Sequence, residues 1–153
     1  MYEKILVPLD GSNVAEAAIA NVEDLAVRMA PATKVKVTLL QVISNITYNV
    51  MTMEELAQIP YTEEELKQIK AKSTKYLNKV AESLKSKGID VKTMVRVGQA
   101  PEQIIEAARE TGANVIAMST HGYSGIKRWA LGSVADRVLH ISEIPVLLIR
   151  VNK

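Results

Sequence analysis

Asn114-Val115-Ile116-Ala117-Met118-Ser119-Thr120-His121-Gly122, followed after nine residues by Gly132-Ser133-Val134, is the stretch that decides the fold. Its first half, Asn114 to Met118, is a short apolar run and reads as a buried strand. From Ser119 the composition changes to small, hydroxyl-bearing and glycine residues, which reads as a loop. That loop feeds a helix opening at Gly132-Ser133. Glycine lets backbone N–H groups approach a ligand closely. A helix start adds unpaired donors and the positive end of the dipole. The chemistry favoured there is capture of a phosphate, and with it a nucleotide.

Working outward, the same strand-then-helix unit recurs. Ile5 to Leu9 is a buried strand ending at Asp10-Gly11-Ser12. Ser12 or Asn13 can cap the next helix, with Glu16 placed to complete a capping box with Asn13. Ala17, Ala18, Val22, Leu25 and Met29 fall at helical spacing, up to Pro31. Val35 to Ile43 is β-branched and apolar, a strand buried on both faces. Residues 44–61 hold no sustained period and read as a long connection, with one helical turn from Thr52.

Thr62-Glu63-Glu64-Glu65 opens a long helix whose stripe is Leu66, Ile69, Ser73, Leu77, Val80 and Leu84, ended by Gly88. Val91 to Val97 alternates more and reads as a strand nearer a sheet edge. Pro101 opens a helix that Gly112 ends. Ser133 to Ile141 is the last helix, with Ser133 and Asp136 spaced as a capping pair, and Pro145 to Val151 the last strand. Strict alternation of strand and helix specifies an α/β fold with a parallel sheet. The expectation is one open five-stranded Rossmann-like sheet, order 3-2-1-4-5, with helices on both faces and right-handed crossovers. The 153 residues read as a single nucleotide-binding domain.

Composition narrows the function classes. A formal net charge of +2 with interspersed signs gives no electrostatic footprint for nucleic acid or an anionic membrane. No cysteine is present, which removes thiol catalysis and Cys-type metal sites. The first residues carry no signal h-region and no run approaches a membrane span, so cytoplasmic is the expected location. No P-loop, dinucleotide Gly-x-Gly-x-x-Gly or Gly-x-Ser-x-Gly elbow occurs. His121 and His140 are 19 apart, which is not a metal spacing.

What remains is recognition at the strand ends, where open parallel sheets bind ligands. Asp10 either accepts hydrogen bonds from ribose hydroxyls or only caps its own turn. The backbone of Val42 can read an adenine edge. Gly122 and the N–H groups of Gly132, Ser133 and Val134 can hold phosphate oxygens, with the Ser119 and Ser133 hydroxyls as further donors. Lys127 and Arg128 are either screening charges for phosphate or solvated surface. No catalytic residue is assigned.

These residues carry a resemblance. Gly122, nine residues, then Gly132-Ser133 is similar to the glycine signature of the universal stress protein family. Val7 to Ser12 resembles its opening block; Leu131 to Leu139 with Ile144 to Leu148 resembles its C-terminal block. Two positions depart from it: Ser119 stands at the first signature glycine, and Gln41 where the family often has His. If that first position needed positive φ, the serine Cβ would be strained there. At negative φ the serine is harmless.

The resemblance implies an adenine nucleotide alpha hydrolase-like fold and a stress-response protein that binds ATP, accompanied by Mg or Mn. It implies a nucleotide-responsive dimer rather than an efficient enzyme. The alternatives are a nucleotide-free dimeric interaction module and a slow ATP phosphohydrolase. The implied cofactor-binding residues are Pro8, Leu9, Asp10, Val42, Met118, Ser119, His121, Gly122, Gly132, Ser133 and Val134. The implied homodimer joins the last strand, Val146 to Val151, an apolar edge that would otherwise stand open.

Overall fold

The structure, a computed structural model, describes residues 3–53, 55–121 and 131–151. Its centre is a five-stranded parallel sheet. In chain order the elements are β1 (Lys4–Leu9), α1 (Asn13–Met29), β2 (Lys36–Ile43), β3 (Thr47–Met51), β4 (Leu56–Pro60), α2 (Glu63–Lys85), β5 (Asp90–Val97), α3 (Ala100–Thr111), β6 (Val115–His121), α4 (Ser133–Ile141) and β7 (Val146–Val151). The strand order is β5-β2-β1-β6-β7. This is the expected 3-2-1-4-5 order once the two hairpin strands enter the numbering.

The sheet is buried from both sides because its strands are apolar on both faces. Ile5, Val7, Val37, Leu39, Val115 and Ala117 pack against α1 and α2 through Ile19, Val22, Leu77 and Leu84. Leu6, Leu40, Ile116 and Met118 face α3 and α4 through Ile104, Ile105, Ala135 and Val138. Alternate residues of one strand thus serve opposite layers, which is why these strands read as continuous apolar runs. β5 and β7 are the edges.

Local signals explain most helix ends. Ser12 caps α1, its hydroxyl accepting from the Ala15 amide at 3.1 Å. Thr62 caps α2 in the same way, accepting from the Glu65 amide at 3.1 Å. Pro101 lies in the first turn of α3, and Gly112, at φ 63°, ends it in the left-handed conformation that suits glycine.

Three expectations change. Residues 44–61 are not a connection with a helical turn; they hold the antiparallel β3–β4 hairpin. Its tip is closed by Thr52, whose hydroxyl donates to the Glu55 carbonyl at 2.7 Å and accepts from the Glu55 amide at 3.1 Å. The Ser119 loop is not a loop as far as His121: β6 runs on, with Ser119, Thr120 and His121 paired to Ile149, Arg150 and Val151. The Asn13–Glu16 capping box does not form. Ser12 takes the cap, and Glu16 instead accepts a hydrogen bond from the Tyr76 hydroxyl at 2.8 Å.

Candidate functional site

β1 is the point where the strand order reverses, and the gap beside it is set by register. β1 and β6 share only the rungs Ile5–Val115 and Leu6–Ile116. Beyond them the two strands part, with Pro8 on β1 offering no N–H to a ladder. On the other side β1 stops at the rung Leu9–Gln41, while β2 continues to Ile43. No β1 residue therefore stands beside the backbone of Val42. A crevice outside the carboxyl ends of β1, β2 and β6 is the geometric result.

That crevice has a volume of about 360 Å³. It brings together Pro8, Leu9, Asp10, Val42, Met118, Ser119, Gly132, Ser133 and Val134, all expected from the sequence. Gly122 and the side chain of His121 lie outside the described residues, as do Lys127 and Arg128. Further lining comes from Ser12, Val14 and Ala15 of the α1 entry, Ser44, Ala100 and Ile104 of α3, Thr120, Leu131 and Ala135. The sequence reading passed over these because small and apolar residues at helical spacing look like core. For Ser12, Val14, Ala15, Ser44, Ala100 and Ile104 the signal that could have found them is their position, in the first turn or two after a strand end.

Asp10 does two things at once. One carboxylate oxygen accepts from the Ser12 amide at 2.9 Å, which forms the turn into α1. The residue is nonetheless exposed at the cleft, so its other oxygen can still accept a hydrogen bond.

Gly132 is the N-cap of α4, at φ 86° and ψ 149°, with no side-chain cap bond. Ser133 is therefore the first helical residue and not the cap. The reason is conformational: a residue at this φ with ψ near 150° is almost always glycine. Among the described residues no side-chain cap bond closes this helix start, and the Ser133 hydroxyl lies beside it. Among the described residues, a Cβ built on Gly132 meets no atom within 4 Å.

Ser119 answers the question its departure raised. It lies in β6, and among the described residues no non-glycine has positive φ. Serine costs the backbone nothing here. Its hydroxyl faces α1, 3.4 Å from the Ala15 carbonyl, which ties the cleft floor to the first turn of that helix.

Gln41, the other departure, places its Oε1 in a fully enclosed position with no hydrogen-bond partner. It alternates with Val42, so its side chain takes the opposite face of β2 from the cleft.

The cleft continues over the N-terminal turns of α3 and α4. There Ser44, Asn45, Gln99, Glu102 and Arg137 form a second, polar recess of about 490 Å³. An ion pair at 3.6 Å between Arg137 and Glu102 spans the two helices. Among the described residues no group of three His, Asp or Glu converges to hold a metal ion, and no helix is long and apolar enough to cross a membrane.

A doubly wound parallel sheet with a glycine-opened helix at its switch point defines the class of α/β proteins that take small ligands at their strand ends. Within that class the chain belongs to the universal stress protein family, whose model matches residues 1–150. It is 28% identical to universal stress protein YxiE of Bacillus subtilis, over 98% of this chain and 100% of the relative. It is 30% identical to universal stress protein MJ0577 of Methanocaldococcus jannaschii, over 98% of this chain and 96% of the relative. The solved structure of MJ0577 superposes with a TM-score of 0.73 over 100% of this chain and 99% of that one. A universal stress protein solved in complex with cAMP shares the fold at 21% identity and a TM-score of 0.66, over 97% of each chain.

Proposed function

We propose that this chain is an ATP-binding stress-response protein that works as a nucleotide-responsive homodimer and not as an efficient enzyme. The observation that carries the reading is the convergence of Asp10, Val42 and the Gly132–Val134 turn on one cleft. Its volume, about 360 Å³, falls in the range of small-ligand sites.

The donor set suits an adenine nucleotide. Past the last β1 rung, the main chain of Val42 offers the paired donor and acceptor that an adenine edge needs. The free oxygen of Asp10 accepts from ribose hydroxyls. The amides of Gly132, Ser133 and Val134 and the Ser133 hydroxyl receive phosphate oxygens, and Gly122, outside the described residues, is a further proposed contact. Among the described residues nothing lies within 4 Å of a Cβ placed on Gly132, which leaves room there for a polyanion. Mg or Mn accompanies the phosphates, held by phosphate oxygens and water, as suits a hard cation without a protein cage. A relative of the same fold solved with cAMP supports an adenine nucleotide as the ligand class.

The dimer joins the β7 edges of two copies in the cytoplasm. β7 is the open end of the sheet and Leu147 is exposed on it. An apolar edge is a liability unless it is paired.

Isothermal titration with ATP and Mg²⁺ tests the reading, and saturable heat is the expected result. A flat titration at high protein concentration would overturn it in favour of a nucleotide-free interaction module. A single-turnover assay with labelled ATP is expected to run no faster than the protein-free control.

A further inference from the structure

The β3–β4 hairpin stands apart from the rest of the fold. It forms its own two-stranded sheet. A lone two-stranded hairpin is marginal in water, where three or more strands or a packed face are needed. Here apolar side chains remain exposed instead: Met51 is 79% and Leu56 59% accessible, with Ile46 and Ile59 exposed beside them.

The hairpin's own hydrogen bonds show which backbone groups are left over. The Tyr61 amide donates to the Ile46 carbonyl at 2.9 Å, and the Thr52 amide to the Glu55 carbonyl at 3.0 Å. Both pairs lie in the same register as the rungs between them. Antiparallel pairs alternate between bonded and non-bonded sites. The even-numbered residues of β3 therefore bond to β4, and Thr47, Asn49 and Met51 aim their N–H and C=O outward. On β4 the outward positions are Leu56, Gln58 and Pro60, and Pro60 has no N–H to offer.

One edge is thus blunted and the other is not. Proteins guard open edges with Lys, Pro or a bulge. The β3 edge has none of these, and residues 45–53 carry no charge in a chain that is 24% charged.

We propose that β3 pairs with β3 of a second copy of this chain, antiparallel about a two-fold axis at Asn49, making a four-stranded sheet in the order β4-β3-β3-β4. Charge selects this occupant. An uncharged edge meets its own copy without like-charge repulsion, and it offers nothing for a charged partner to read. The register uses the outward groups of all three β3 positions: Asn49 faces Asn49 of the second copy, and Thr47 faces Met51. About six hydrogen bonds result, two per bonded pair. This surface is separate from the β7 edge and from the nucleotide cleft.

Two variants of the full chain test it. Asn49→Pro removes an outward N–H and leaves the hairpin's own ladder intact. By sedimentation equilibrium the wild type should have about twice the mass of Asn49→Pro or more, because a two-fold contact doubles the assembly. The ratio holds whether the unit beneath it is a monomer or a β7 dimer. The second variant exploits the absence of native cysteine. In a bonded pair the two Cα atoms lie about 5.5 Å apart, within disulfide reach.

Under oxidised glutathione, Asn49→Cys should form a covalent dimer about tenfold faster than Gln58→Cys, since pairing raises the effective thiol concentration. Gln58 residues of two copies would lie about 14 Å apart across three strand spacings. Equal masses in the first experiment, or equal cross-linking rates in the second, would overturn the pairing.

Discussion

The hydroxyl of Tyr76 on α2 donates to a carboxylate oxygen of Glu16 on α1 at 2.8 Å. This bond links the long helix that follows the hairpin to the first turn after Asp10. Ionisation of Tyr76 is pushed well above the usual tyrosine range, first by burial, then by the Glu16 hydrogen bond and the negative charges of Glu16 and Asp10. The Gly11 amide opposes the shift.

A group that holds its proton more tightly when folded stabilises the fold below its unfolded pKa, here about 10. That contribution fades as the pH climbs through and beyond 10. Tyr76→Phe is expected to lose about 1 kcal/mol near pH 8, the size of one net hydrogen bond. The gap between wild type and variant should narrow steadily toward pH 11. Urea unfolding across that range measures it, and a gap that stays constant would sink the assignment.

Ser119→Gly would restore the family's glycine, yet the structure assigns it a cost and no benefit. The position is extended strand, where glycine loses about 0.5–1 kcal/mol through backbone entropy. The contact with the Ala15 carbonyl goes as well. The variant should be slightly less stable and bind ATP within a factor of about three of wild type, a difference below 1 kcal/mol. Thermal unfolding and titration in parallel check this. A large gain in affinity would mean the serine does obstruct the ligand.

The legibility of this fold follows from burial. Ile5 to Leu9 and Val35 to Ile43 announce themselves because the sheet is covered on both faces, so apolar residues serve both layers and only Lys36, Thr38 and Gln41 interrupt the second run. Ser12, Thr62, Pro101 and Gly112 mark helix ends by chemistry that acts within four residues. The hairpin was illegible for the opposite reason. With Asn49, Met51, Leu56, Gln58, Ile59 and Pro60 exposed, Thr47 to Met51 and Leu56 to Pro60 show neither an apolar run nor clean alternation. Ser119 to His121 misled because polar residues at a strand end border a cleft, and hydroxyls there look like loop. At the site, residues from strand ends and the glycine turn could be read, since each carries its own local signature. Val14, Ala15, Ala100 and Ile104 carry no such signature of their own; only their place shortly after a strand end points to the cleft, to which the packing of α1 and α3 brings them.

Gly98 follows β5 at φ 143°, and a Cβ there would lie 3.0 Å from Cγ of Gln103. That side chain cannot swing away freely, since its Oε1 accepts from Nε of Arg96 at 2.7 Å. Arg96 also pairs with Glu106 at 3.2 Å and with Glu110, so one guanidinium fastens the edge strand to α3. Gly98→Ala should therefore cost about 1–3 kcal/mol, the usual range for backbone strain of this kind. Arg96→Ala should cost less, because both carboxylates are largely exposed and regain water. Paired denaturation curves decide it; Arg96→Ala proving the more harmful would show that the ion pairs and not the backbone hold this corner.

Gly132 separates two kinds of cost in one residue. Its φ of 86° disfavours any side chain, but among the described residues the Cβ of an alanine would touch no atom within 4 Å. In the free protein Gly132→Ala is thus a backbone problem only, worth about 1–3 kcal/mol. For a chain of this size that lowers the melting temperature by about 2–4 °C per kcal/mol. In the presence of nucleotide a further loss is expected, because the space before this turn is where phosphate oxygens are proposed to sit. The stabilisation that ATP confers on the wild type follows its affinity. It should shrink or vanish in the variant, beyond the shift seen without ligand. Melting curves of both proteins with and without ATP and Mg²⁺ separate the two effects. A variant that melts lower yet gains as much from ATP as the wild type would show that the phosphates lie elsewhere.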